Sequence, residues 1–197
     1  MFRIVALGSV ALLGLSACNA PVPAPPPETT PPPATPVTPP TPADQLTAQG
    51  FGPLRIGMTR AEVIAAMGEN DNPNAIGGPD PASCDMFHPA RAPEGLYVMV
   101  EDGVLTSVQL ASTGVLKTDR GLGIGDTAVA VKQAYGADAR VTPHKYVDAP
   151  AEYITVWTTA DHDGPAARGI RYNIGADGRV QAIAVGGPSI LYVEGCA

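Results

Sequence analysis

The residues Leu54-Arg55-Ile56-Gly57-Met58-Thr59 open a short apolar pattern that ends at Gly68, and a second copy of this arrangement follows later in the chain. The copy reads Leu122-Gly123-Ile124-Gly125-Asp126-Thr127, and its pattern ends at Gly136. A threonine before an apolar run and a glycine after it are typical of the two ends of a helix. The sequence therefore predicts two short helices, at residues 60–67 and 128–135, and an internal repeat.

Each predicted helix carries an apolar stripe, which indicates that it packs on another element. In the first copy Glu62 stands three residues after Thr59, which is the capping-box pattern. The second copy keeps the threonine but has no glutamate at the matching position. Helices this short gain most of their stability from packing. The predicted stripes are Val63, Ile64 and Met67 in the first helix and Val131, Ala134 and Tyr135 in the second.

The segments that follow each helix predict antiparallel sheet. Two apolar runs flank Asp102-Gly103, a dipeptide that favours a type I′ hairpin turn, and two more flank Asp177-Gly178. The predicted strands are residues 84–88, 96–100, 104–110, 152–158, 170–174, 179–185 and 190–194.

These elements predict an α+β fold with two related halves, each a short helix packed on an antiparallel sheet of about three to four strands. The halves cover about residues 50–112 and 118–197 of a single domain at residues 44–197.

The beginning of the chain has the pattern of an export signal. Arg3 precedes an apolar run at residues 4–15, which is shorter than the about 20 residues that a membrane-spanning helix needs. The stretch Leu15-Ser16-Ala17-Cys18 resembles the lipobox of bacterial lipoproteins. The resemblance implies a signal peptide at residues 1–17 and a lipid on Cys18. The alternative is ordinary secretion, with Cys18 left as a free thiol.

A lipid on Cys18 would make the membrane a partner, because several acyl chains hold a protein far more firmly than one. Asn19 stands where an aspartate would resemble the inner-membrane retention signal of Gram-negative lipoproteins. We therefore expect the protein at the periplasmic face of the outer membrane, with the inner membrane and the cell surface as alternatives.

Residues 18–43 are predicted to link the lipidated cysteine to the folded domain. Twelve prolines occur in residues 21–43. This composition favours polyproline II, which would extend roughly 70 Å at ~3.1 Å per residue. We interpret the segment as a stalk. The alternative is a ligand for an aromatic groove or for the cell wall.

The charge of the chain argues against nucleic acid as a partner. Asp and Glu number 19 against 12 Lys and Arg, and the net charge is −7. Proteins that bind nucleic acid carry a basic patch that neutralises phosphates. We therefore expect an envelope protein or the cell wall as the partner.

The helix entry resembles a known family of envelope proteins. The Gly-Met-Thr of residues 57–59, or the Gly-Asp-Thr of residues 125–127, followed by a short helix and antiparallel sheet, is similar to the small lipoproteins of the BamE (SmpA/OmlA) type. Two copies in one domain resemble the secreted β-lactamase-inhibitory proteins. The first resemblance implies a non-catalytic structural or assembly accessory that acts by binding protein. The second implies a membrane-anchored inhibitor of a hydrolase of the β-lactamase or lysozyme type.

The cysteines predict one link between the halves. The inhibitory proteins hold a disulfide within each copy, whereas each half of this chain has one cysteine, Cys84 or Cys196. With Cys18 lipidated in an oxidising compartment, these two are the remaining thiols. The sequence therefore predicts a Cys84–Cys196 disulfide.

The sequence contains no strong catalytic or metal-binding motif, so we expect no enzyme activity, no cofactor and no metal. A metal could use Asp161-His162-Asp163, but a polar turn ending at Gly164 explains the same residues. The glycines of residues 121–125 lack the spacing and the lysine of a phosphate loop. They indicate the backbone geometry of the helix entry instead.

Two segments offer side chains for binding. Tyr153 and Trp157 alternate with Ile154 and Val156 on one predicted strand, so one of its faces lies in the core. If the aliphatic face is buried, the two aromatic residues form a binding anchor. If the aromatic face is buried, Trp157 is a core residue, and the sequence leaves both readings open. Binding of sugar or peptidoglycan through this strand is a further alternative.

The second segment is the run His144-Lys145-Tyr146, which lies between Pro143 and Pro150. The prolines predict a loop, and binding residues concentrate in loops. If the loop contacts a ligand, His144, Lys145 and Tyr146 join Tyr153 and Trp157 in the binding surface; the alternative is a loop with no specific task.

Overall fold

The structure is a computed structural model that describes residues 44–75 and 78–196. The predicted signal peptide, the lipidation site Cys18 and the linker at residues 18–43 lie outside the described residues. The described part contains two sheets and two short α-helices, so the predicted α+β class is confirmed.

Seven strands form one antiparallel sheet, and four short strands form a second, smaller sheet. In chain order the elements are β1 (Gln45–Thr47), β2 (Gly50–Phe51), β3 (Leu54–Arg55), α1 (Arg60–Met67), β4 (Cys84–Phe87), β5 (Leu96–Glu101), β6 (Val104–Leu110), β7 (Lys117–Thr118), α2 (Ala128–Tyr135), β8 (Arg140–Pro143), β9 (Glu152–Trp157), β10 (Gly169–Ile174) and β11 (Val180–Gly186). The large sheet has the order β4-β5-β6-β11-β10-β9-β8, and the small sheet has the order β3-β2-β1-β7.

The two helix entries make equivalent backbone hydrogen bonds to the large sheet. Gly57 N donates to Leu105 O over 2.8 Å, and Gly125 N donates to Val180 O over 2.9 Å. The amides of Leu105 and Val180 donate back to the residue that follows each glycine, over 2.7 and 2.9 Å. The first half contributes three strands to the large sheet and the second contributes four. The entry is therefore the part that the two halves share, and their origin as a duplicated unit stays a prediction.

Both helices are capped as the sequence predicts. The Thr59 hydroxyl accepts a hydrogen bond from Glu62 N, and Glu62 Oε2 accepts one from Thr59 N over 2.8 Å, which completes the capping box. The hydrogen bonds from the Thr59 backbone and side chain lower the pKa of Glu62. In the second helix the Thr127 hydroxyl accepts from Ala130 N over 3.1 Å.

The helices bury narrower stripes than predicted. Val63 and Met67 of α1 are buried, as is Val131 of α2, while Tyr135 is partly buried. The predicted burial of Ala134 is wrong, because this residue is exposed. In a helix of about two turns that lies on a sheet, residues four apart face the sheet, as Val131 and Tyr135 do. Ala134 lies beside them, at the solvent edge of this stripe.

The core lies on the face of the large sheet that α1, α2 and the small sheet cover. Alternate strand residues point into it, among them Ile154 and Val156 of β9 and Tyr172 of β10. The Tyr172 hydroxyl is bonded to the hydroxyls of Tyr135 at 2.9 Å and Thr118 at 3.3 Å. This buried polar group is therefore fully paired, as buried hydroxyls generally are.

The predicted hairpins form, but their turns differ. In the first turn Asp102 has φ 47° and Gly103 has φ 78°, so both central residues have the positive φ of a type I′ turn. In the second hairpin Gly178 has φ 72° while Asp177 keeps a negative φ, so the predicted type I′ turn is wrong there. The turn is closed by a hydrogen bond from Gly178 N to Gly175 O over 2.9 Å, and the β10–β11 register shifts beside it, between Asn173 and Ile174.

The predicted strand at residues 190–194 is wrong. Pro188–Leu191 forms a 3-10 turn, and no strand follows it in the described part of the chain. The reason is local, because proline has no amide hydrogen to donate to a strand ladder and two glycines precede it. The small sheet and β8, for their part, were not predicted, because strands this short carry little periodicity.

Candidate functional site

The last described residues, 187–196, run across the large sheet on the face opposite the core, and we call them the C-terminal strap. Its 3-10 turn packs on β6, β10 and β11, and Ile190 is buried against them. Cys196 forms a disulfide with Cys84 at the start of β4, so the predicted pairing is confirmed. The strap is thus fixed at its first residues by the end of β11 and at its end by the disulfide.

Arg171 of β10 holds the middle of the strap. Its Nη1 donates to the carbonyl oxygen of Ile190 over 3.0 Å and approaches that of Tyr192 at 3.5 Å. The guanidinium carbon lies 3.7 Å from the centroid of the Tyr153 ring, which is within cation–π distance. Burial lowers the pKa of Arg171, but an arginine side chain remains charged in proteins.

The structure decides which face of β9 lies in the core. Ile154 and Val156 belong to the core face, and Tyr153 and Trp157 point to the opposite face. Tyr153 is nonetheless buried, because two side chains cover its ring. The His144 ring stacks on it with the centroids 4.6 Å apart, and the Arg171 guanidinium also lies over it.

Trp157 lies outside the hydrophobic core and is partly exposed. It stacks on the His162 ring, with centroids 5.2 Å apart and planes inclined by 12°. Trp157 therefore lies at the far end of β9 from Tyr153, and the two aromatic residues do not form one exposed pair.

The predicted loop at residues 144–146 contacts the strap. His144 Nδ1 accepts hydrogen bonds from Tyr146 N and Val147 N, both over 3.1 Å. The Tyr146 hydroxyl donates to Glu194 Oε1, and Lys145 Nζ lies 3.7 Å from the same oxygen. Of the five predicted binding residues, His144, Lys145, Tyr146 and Tyr153 thus lie together, while Trp157 lies apart.

The loop and the strap together expose a group of large apolar side chains, which we call the strap patch. Each of these residues is between 38% and 59% exposed. The members are Tyr146, Leu191, Tyr192 and Val193. Charges flank the patch at Lys145 and Glu194.

The other histidines are engaged locally. His88 Nδ1 lies 2.9 Å from Asp71 Oδ2, and its ring packs edge-on against Tyr97. The Asp161 carboxylate accepts backbone hydrogen bonds from Asp163 N at 3.0 Å and Gly164 N at 3.2 Å, so this segment is a polar turn. Among residues 44–75 and 78–196, no three His, Cys, Asp or Glu side chains converge as metal ligands would.

The sequence analysis did not identify Arg171, Ile190, Tyr192 or Glu194 as site residues. One signal was available, because the chain must run from the end of β11, the central strand, to the predicted disulfide with Cys84 on the edge strand β4. A segment with that path has to cross one face of the sheet, and the residues that face it then become contacts.

Comparisons with known proteins establish no family for this chain. No family model matches it, and no curated protein matches it. Among solved structures, a DUF4309 family protein (YjgB) from Bacillus subtilis subsp. subtilis str. 168 is similar, with a TM-score of 0.44 and 19% sequence identity over 73% of this chain and 88% of that one.

One further observation concerns the membrane. Within the described ranges, neither helix has the length and apolar character needed to span a bilayer.

Proposed function

We propose that this protein is a non-catalytic lipoprotein of the cell envelope that acts by binding another protein through the strap patch. The observation that carries the proposal is the strap patch itself, whose four exposed apolar side chains lie on two segments joined by Glu194. Exposed apolar side chains that occur singly are normal, whereas a contiguous group with a polar rim is typical of interaction sites.

The patch has the composition of a binding centre. Its two tyrosines, Tyr146 and Tyr192, are of the residue type that is enriched among side chains with large contributions to binding energy. Lys145 and Glu194 lie at its edge, where charges set orientation and association rate more than affinity.

The patch is also held in place before any partner arrives. The disulfide fixes one end of the strap, and Arg171 fixes its middle. A surface that is already ordered loses less conformational entropy on binding, which supports a role in recognition.

The predicted lipid on Cys18 and the proline-rich linker extend the proposal to the envelope. A tether of roughly 70 Å would let the domain reach partners away from the bilayer. We propose the periplasmic face of the outer membrane as its location, and a structural or assembly role for the complex.

Inhibition of a hydrolase is the second outcome that the test must distinguish. The strap covers central strands of the sheet face opposite the core, so an inhibitor that used this face would contact its target through the strap.

The test places a photocrosslinking amino acid at Tyr192 in the full chain in living cells, with the same substitution at Val115 as control. Val115 is 87% exposed and lies between β6 and β7, outside the strap patch. We expect a discrete protein adduct at position 192 that is absent at position 115. Equal adducts at both positions, or none at 192, would contradict the proposal.

The adduct is then checked with purified components. Leu191→Ser should weaken binding of the identified partner at least about tenfold with the melting temperature unchanged, because an exposed side chain contributes little to folding. Val115→Ser should leave binding as it is. Nanomolar loss of β-lactamase or lysozyme activity on addition of the full chain would identify the partner as a hydrolase and the protein as its inhibitor.

A further inference from the structure

A cavity of about 160 Å³ lies beside the strap, on the sheet face opposite the core. Side chains from four neighbouring strands form its floor and walls, and the strap forms its roof. The lining residues that matter here are Gln109, Tyr153, Arg171, Asn173, Ala184 and Ile190. The cavity is distinct from the exposed surface of the strap patch, although Tyr192 and Val193 border both.

Buried polar atoms without partners concentrate around this cavity. In the described part of the chain, the buried side-chain atoms that lack a hydrogen bond on this face or on the strap are Ser107 Oγ, Tyr153 OH, Arg171 Nε and Ser189 Oγ. Two of them, Tyr153 OH and Arg171 Nε, belong to residues that line the cavity and are only 4% and 8% exposed. An unpaired buried polar group is costly, and such atoms commonly mark a bound water, ion or ligand.

The contrast with the other face of the sheet is direct. Tyr172 is buried there, as Tyr153 is here, and the Tyr172 hydroxyl is bonded to two other hydroxyls. The same fold therefore pairs a buried tyrosine on the core side and leaves one unpaired beside the cavity.

The cavity also holds a positive charge that has an aromatic ring beside it but no anion. Among the described residues, no carboxylate lies within 4.0 Å of the Arg171 guanidinium, and only its Nη1 makes hydrogen bonds, both to strap carbonyls. A buried cation without an anion is unfavourable, because no opposite charge replaces the hydration that burial removes.

We propose that this cavity binds a carboxylate carried on a short aliphatic stem. Arg171 Nε and the Tyr153 hydroxyl are donors without acceptors, so a group that binds beside them must accept, and the guanidinium edge that carries Nε has the planar geometry that matches a carboxylate. Gln109 and Asn173 add amides at the wall, and Ala184 and Ile190 provide apolar surface for the stem. A cavity of roughly 150 Å³ accommodates a molecule the size of benzene, so a stem of about three carbons fits.

Two sources can present this chemistry, a free short-chain acid or the C-terminal residue of a peptide. The experiment titrates the purified full chain by calorimetry with butyrate and with N-acetyl-Ala-Ala, each against its neutral amide, butyramide and N-acetyl-Ala-Ala-amide. We expect one of the two acids to bind at least about tenfold more tightly than its amide, since charge-assisted hydrogen bonds are the stronger kind. Binding of butyrate alone assigns the free acid, and binding of the peptide alone assigns the peptide terminus.

The decisive variant is Tyr153→Phe, which removes the unpaired hydroxyl and keeps the ring under Arg171. We expect carboxylate affinity to fall about tenfold while the melting temperature of the free protein is unchanged or rises, because an unsatisfied buried group has been removed. The matched control is Tyr97→Phe, a hydroxyl outside this cavity, which should leave affinity unchanged. Arg171→Lys keeps the charge but not the planar fork and should also abolish the preference for acid over amide.

Three results would overturn the proposal. If neither acid binds more tightly than its amide, the cavity is a site for water and not for a carboxylate. Equal affinity in the parent and in Tyr153→Phe would place any bound acid elsewhere. Equal weakening by Tyr97→Phe would show that the effect is not specific to this cavity.

Discussion

Replacing both Cys84 and Cys196 with serine would remove the bond that fixes the end of the strap. The bridge joins residues that are 112 apart in sequence. In the chain-entropy model, a loop of this length restricts the unfolded chain by about 4–5 kcal/mol at 25 °C. A domain of this size is stable by about 5–15 kcal/mol, so the double variant should lose a large share of its stability.

The assay is urea unfolding of the parent and the double variant, which both retain Cys18. We expect the urea concentration at the transition midpoint to fall by an amount that corresponds to a loss of several kcal/mol in the free energy of unfolding. We also expect faster hydrogen exchange at the Tyr192 amide, which donates to Ser189 O over 3.0 Å within the strap.

A double variant within about 1 kcal/mol of the parent, with unchanged exchange at Tyr192, would refute the reasoning. It would mean that packing of Ile190 and the Arg171 hydrogen bonds hold the strap without the bridge. A large loss of stability with unchanged exchange at Tyr192 would support the effect of the disulfide on the entropy of the unfolded chain. It would contradict the claim that the disulfide orders the strap around Tyr192.

Three other predictions follow from single residues. Ile190→Ala should lower the free energy of unfolding by about 2–4 kcal/mol, because the Ile190 side chain is buried. Leu191→Ala, at the exposed neighbouring residue, should change it by less than about 0.5 kcal/mol. Chemical denaturation measures both free energies, and equal effects would contradict the placement of the strap. Partial burial acts to raise the pKa of Asp126, but hydrogen bonds from Lys117 Nζ and Gly123 N outweigh it and lower the pKa. The Asp126 carboxylate therefore stabilises the fold above the pKa that it has in the unfolded chain. This stabilisation disappears as the pH falls through the lowered pKa of the folded state. Asp126→Asn should therefore cost up to about 1 kcal/mol near neutral pH, and the difference from the parent should shrink in thermal melts below about pH 4, whereas a difference that grows in acid would be the wrong sign. Thr59→Ala removes a helix cap and should lower stability by about 1 kcal/mol in a thermal melt, and no change would mean that α1 is held by packing alone.

Much of the fold could be predicted because it depends on local features. The capping box of Thr59, the positive φ of Gly103 and the alternation along β9 each arise from a few neighbouring residues. The predicted strand at residues 190–194 failed for a related reason, because an apolar run alone does not reveal that Pro188 ends the sheet.

The candidate site could be predicted only in part. His144, Lys145 and Tyr146 were identified because prolines mark their loop, but their contact with Glu194 depends on where the strap ends. Arg171 carried no signal in the sequence, since a charged residue that alternates with apolar ones on a strand normally faces water.

The sequence by itself determined the two capped helices and the hairpins, because helix capping and turn formation depend on a few neighbouring residues. It also determined the pairing of Cys84 with Cys196, because these are the two thiols that remain once Cys18 is taken to be lipidated. The tertiary structure alone decided that the strap crosses the second face, buries Arg171 and Tyr153 there and exposes Tyr192. The physical reason is that burial on this face comes from a segment about twenty residues further along the chain, and no local pattern encodes which face that segment will cover.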